Sequence, residues 1–72
     1  MIRDTELKIL KEKRAFIVKW SDNSADHLGA LQIIDRIIFQ LEAGTELNDH
    51  DEFLLTMVVT YDEENLKRLI SN

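Results

Sequence analysis

Cysteine and proline are both absent from these 72 residues, and glycine occurs only at Gly29 and Gly44. Without cysteine the chain has no disulfide to restrict its unfolded state and no thiolate to act as nucleophile or zinc ligand. The lack of thiols matches a reducing compartment. Without proline there is no dedicated helix breaker, so interruptions have to come from polar clusters. Two isolated glycines do not make a phosphate-cradling loop. No apolar run exceeds four residues, far below the roughly 20 needed to span a bilayer. The opening Met1-Ile2-Arg3-Asp4-Thr5-Glu6 lacks the basic-then-apolar order of a secretory leader. A cytoplasmic protein with no membrane partner is expected.

What remains is a single domain, 1–72, with 44% apolar residues, enough for a packed core and too many for a disordered chain. A chain this short buries roughly 60% of its unfolded surface, so one small core has to stabilise the whole. Charge is divided by position. Residues 1–20 carry Arg3, Lys8, Lys11, Lys13, Arg14 and Lys19 against Asp4, Glu6 and Glu12, a net +3. Residues 21–72 carry Arg36, Lys67 and Arg68 against eleven acids, a net −8. Asymmetry of this kind governs association and steering more than fold.

The polar clusters Ser21-Asp22-Asn23-Ser24 and Gly44-Thr45-Glu46-Leu47-Asn48 cut the chain into thirds. In the middle third, Ala30, Leu31, Ile34, Ile37, Ile38 and Leu41 share an arc of about 120° at helical spacing. Asn23 or Ser24 can cap its start, and Gly44 stands where a left-handed residue ends a helix. A helix over about 24–43 is predicted. In the last third, Phe53, Leu55, Met57, Val59 and Tyr61 alternate as in a strand. Thr56, Thr60, Glu63 and Lys67 equally form one polar helical stripe. The apolar pattern continues through Leu66 and Ile70, which favours a helix over about 49–70, bent near Asp62 and capped by Asn48 or Asp49. In the first third, Ile9, Leu10, Phe16, Ile17 and Trp20 share a broad helical face, with Asp4 or Thr5 as its cap and Glu6 and Lys13 interrupting it.

The expected fold is all-α, a small three-helix bundle with helices at about 5–20, 24–43 and 49–70. The alternative is an α+β unit with strands near 14–20 and 53–61. Two strands alone are marginal in water, whereas three helices joined by short loops need no further support.

Catalysis requires tuned groups converging in a pocket. His27 follows Ser24 by three residues, which is half of a nucleophile–base pair, but Ser24 serves equally as a helix cap. Glu46-Leu47-Asn48-Asp49-His50-Asp51-Glu52 offers oxygen ligands and one imidazole. It lacks the glycine and the alternation of a calcium loop and the ligand set of a zinc site. No enzyme, cofactor or metal is expected. Lys8, Lys11, Lys13, Arg14 and Lys19, next to Phe16 and Trp20, combine charge and aromatic rings as single-strand binders do. The acidic body opposes direct nucleic-acid binding.

Two features point to a protein partner. Glu42, Glu46, Asp49, Asp51 and Glu52 gather at the turn between the second and third helices, and no lysine or arginine occurs from Ala43 through Asn65. Phe53, Met57 and Tyr61 form a second apolar stripe at i, i+4 and i+8, of the residue types enriched at interface centres. These eight residues are the candidate protein-binding site. The reading is a small acidic regulator that occupies a basic, nucleic-acid-binding partner, in the manner of an antirepressor, antitoxin or phage-encoded inhibitor. The rivals are a structural homodimer or homo-oligomer using the apolar stripe, and a nucleic-acid binder using the basic first segment.

Overall fold

Four helices, and no strand, make up the computed structural model, which describes residues 3–71. Helix α1 runs Asp4–Trp20, α2 Ala25–Ala43, α3 Asp49–Thr60 and α4 Glu63–Ser71. The strands considered near 14–20 and 53–61 do not form: the first stretch is the end of α1 and most of the second is α3. The alternation in the last third is a by-product of a helix that is apolar around much of its circumference.

The expected single helix over 49–70 is two helices, and the break has an identifiable cause. Thr56 donates its hydroxyl to the Glu52 carbonyl at 3.0 Å, and Thr60 donates to the Thr56 carbonyl at 2.7 Å. Such back-bonds compete with the helical ladder and bend it. Tyr61 then leaves the helix with φ −73° and ψ 138°. Asp62 restarts it by accepting the Asn65 N–H on Oδ1 at 2.8 Å, a side-chain cap. Lys13 donates its ammonium to the Tyr61 carbonyl. The lysine that interrupts the apolar face of α1 therefore satisfies the backbone at the interruption of the last segment.

The other boundaries follow local chemistry. Ser24 caps α2 by accepting the His27 N–H, and Asn48 caps α3 by accepting the Asp51 N–H. Helix α1 has no side-chain cap at Arg3; Asp4 and Glu6 instead place negative charge in its first turn. Gly44, at φ 75°, closes α2 in the left-handed region. Asn23 also has positive φ, 64°, a conformation asparagine tolerates better than most residues.

Ion pairs fix the helix directions. Lys11 meets Glu42 and Arg14 meets Asp35, so α1 and α2 are antiparallel. Arg3 meets Glu52 while Lys13 meets Tyr61, so α1 and α3 run the same way. At 19 residues α2 is about 28 Å long, most of the 33 Å long axis. Leu10 and Ile17 of α1, Ile34, Ile37 and Leu41 of α2, Leu55 and Val58 of α3 and Leu66 of α4 form one buried cluster. The spacings of three, four and seven within α2 and of seven within α1 keep these side chains on one face.

Candidate functional site

The five acids expected at the α2–α3 turn do not form a single free patch. Glu42 accepts from Lys11 Nζ at 2.8 Å. Glu52 takes both carboxylate oxygens to Arg3 Nη2, at 2.8 and 2.7 Å, and that hydrogen bond raises the arginine's pKa above its ordinary value. Asp51 is only 2% exposed and accepts from Arg36 Nη2 at 2.7 Å. Burial of a carboxylate in this way requires a charged or hydrogen-bonding partner. Glu46 and Asp49 are exposed and have no ion pair among the described residues. The cations that neutralise Glu42, Asp51 and Glu52 come from α1, α2 and the residue before α1. Their sequence separations, 31, 15 and 49, lie outside any local charge pattern.

The apolar stripe is also rearranged. Phe53 is 60% exposed on α3, and Met57, one turn on, is half-buried. Tyr61 lies past the helix end, so it does not continue their line. Met57 is instead part of the wall of an apolar groove of about 460 Å³ between α2, α3 and α4. Ala25, Gly29, Ile33 and Ile37 line one side, Leu54, Met57 and Val58 a second, and Leu66, Leu69 and Ile70 the third. Asp26 is the one charged residue among those lining it. Ile33 and Leu69 are exposed there. Sequence periodicity carried Leu66 and Ile70 on as part of one longer helix. The signal for the groove was Gly29, a glycine inside a helix with no turn to make.

Family models, curated proteins and solved structures yield no match to this chain.

His27 is buried, with its ring tilted against Trp20 at 4.5 Å. Its Nδ1 lies 3.2 Å from Ser21 Oγ and 3.0 Å from Asp22 Oδ1, and accepts the Asp22 N–H at 3.3 Å. A nucleophile–base–carboxylate relay needs serine and carboxylate on opposite ring nitrogens; here both contact the same one. Ser24 Oγ accepts the His27 backbone N–H, so its position is that of a cap. Among the described residues no three His, Asp or Glu side chains are placed to share a metal ion. Nor, among the described residues, is any helix long and apolar enough to cross a membrane.

The basic face of α1 is largely engaged. Lys11 and Arg14 pair with α2, and Lys13 holds the Tyr61 carbonyl. Phe16 and Trp20 stack on each other at 6.4 Å, with Lys67 Nζ 5.7 and 5.9 Å from the two ring centres. These rings therefore already face a cation of the chain itself.

Proposed function

We propose that this chain is a non-enzymatic regulator that acts by binding another protein, one whose docking surface is basic and handles nucleic acid. The supporting observation is that Phe53 lies largely exposed on α3, the helix whose Met57 lines an apolar groove. Apolar anchors with charge left at the margin are the anatomy of protein interfaces. Glu46 and Asp49 supply uncommitted negative charge near the start of that helix, which speeds and orients encounter with a basic surface more than it adds affinity. The mechanism is competition: the regulator covers the surface the partner presents to nucleic acid, as an antirepressor, antitoxin or phage inhibitor does.

The test is capture from the native host with wild type, Phe53→Glu and the Glu46→Lys/Asp49→Lys double variant. Wild type retains a basic nucleic-acid-binding protein and releases it at high salt. Phe53→Glu loses it, and the charge-reversed chain holds it more weakly with a flatter salt dependence. If no basic protein is retained, or Phe53→Glu retains it fully, the proposal fails. The same exposed phenylalanine supports one rival, a second copy of the chain. A sedimenting dimer that Met57→Glu splits, with no effect from the charge reversals, identifies that case.

A further inference from the structure

We infer that the groove between α2, α3 and α4 receives an amphipathic helix of the partner, apolar on the side laid into the groove and rich in lysine or arginine along its flanks. This rests on the protein-binding function proposed above and specifies which partner element docks and where.

Charge is the first argument. On the three groove-forming helices, Arg36 is held by Asp51 and Lys67 sits over Phe16 and Trp20. Arg68 is the remaining cation on these helices with no partner among the described residues. Against it stand Asp26 on the groove wall, Asp49 at the start of α3, and Glu63 and Glu64 at the start of α4, none of them ion-paired. The carboxylates of the other acids on these helices, Asp35, Glu42, Asp51 and Glu52, are neutralised within the chain. An apolar trough with Asp26 on its wall, built from helices whose unpaired charges are four carboxylates against one arginine, complements a helix with an apolar face and cationic flanks, the helix-in-groove mode of recognition.

Gly29 is the second argument. It lies inside α2, on the groove wall, and its backbone is not left-handed. A Cβ built there meets nothing within 4 Å. Glycine inside a helix costs about 1 kcal/mol relative to alanine, and nothing inside the monomer requires it. Ala25, one turn earlier, also lines the groove. A low wall of this kind admits a second helix at the close end of the usual interaxial range.

The test uses the full chain and two synthetic helical peptides of equal length and equal leucine pattern, one with lysine and one with glutamate at the polar positions. Calorimetry and amide chemical-shift mapping report binding. The leucine–lysine peptide binds with roughly micromolar affinity, shifts Gly29, Ile33 and Met57, and weakens with salt; the leucine–glutamate peptide does not bind. Gly29→Leu fills the trough from a position with free space, keeps the helical circular dichroism and weakens the lysine peptide at least about tenfold. Gly29→Ala provides a milder second variant that is more stable than wild type. Equal binding of the lysine peptide to wild type and Gly29→Leu overturns the inference, as does failure of that peptide to bind or equal binding of both peptides. A wild-type dimer that Gly29→Leu dissociates overturns it in favour of a second copy. If the captured native partner survives Gly29→Leu and is lost with Phe53→Glu, the groove assignment fails while the proposed function stands.

Discussion

Replacing Arg36 with leucine removes the cation that accompanies a buried carboxylate. Asp51 is 2% exposed and its Oδ1 lies 2.7 Å from Arg36 Nη2, while the arginine side chain itself is 51% exposed. Breaking a fully buried pair by removing one partner costs about 3–5 kcal/mol, and a hydrogen bond to a charged group contributes about 1.5–3 kcal/mol. Because the arginine end is half in water, solvent can replace part of what is lost, which places this pair near the lower range. Arg36→Leu is therefore expected to destabilise the chain by about 2 kcal/mol, lowering Tm by roughly 8–16 °C in a domain of this size. Urea unfolding followed by far-ultraviolet circular dichroism and by Trp20 emission measures it. The Arg36→Leu/Asp51→Leu double variant is expected to recover much of the loss, since both charged groups are gone, giving a coupling of about 1 kcal/mol or more in the cycle. A single variant within about 0.5 kcal/mol of wild type, or strictly additive losses, would refute the reasoning.

Three further outcomes are expected. Gly44→Ala places a side chain at φ 75° and lowers stability by about 1 kcal/mol, read from the urea midpoint. Asp62→Ala removes the α4 cap, costs about 1 kcal/mol, and speeds amide exchange within α4 before the other helices. The Asp22 carboxyl is held below its usual pKa, first by the Ser24 backbone N–H and then by the Ser24 hydroxyl. A depressed folded-state pKa contributes stability that is present above the unfolded carboxylate pKa and lost as pH falls through the folded value. Asp22→Asn is accordingly less stable than wild type at neutral pH, and the gap closes in acid; a gap that persists at pH 2 contradicts the assignment.

Much of the architecture was legible in the sequence, because local rules and packing agree there. The arc of Ile34, Ile37 and Leu41, the Ser24 cap and the left-handed Gly44 bound α2 close to where periodicity put it. The break at Tyr61 was not read as a second helix, because apolar periodicity is indifferent to a two-residue interruption that keeps Leu66 in phase. Thr56 and Thr60, stacked one turn apart, were the usable sign. The acidic cluster misled for a different reason. Which carboxylates remain free depends on Arg3, Lys11 and Arg36 arriving from other elements, and only the folded arrangement brings them together. Phe53 and Met57 share α3 but Tyr61 lies beyond its end; the trough that Met57 lines needed α2 and α4 as its other walls.

Trp20 is the single tryptophan of the chain, and it sits where the end of α1, the first turn of α2 and α4 converge, between the Phe16 ring, the His27 imidazole and the Lys67 ammonium. Its emission is thus a built-in optical gauge of the seating of the terminal helix. Any ligand that pries α4 from its neighbours moves water and charge around one indole, and the displacement can be followed in the unlabelled protein.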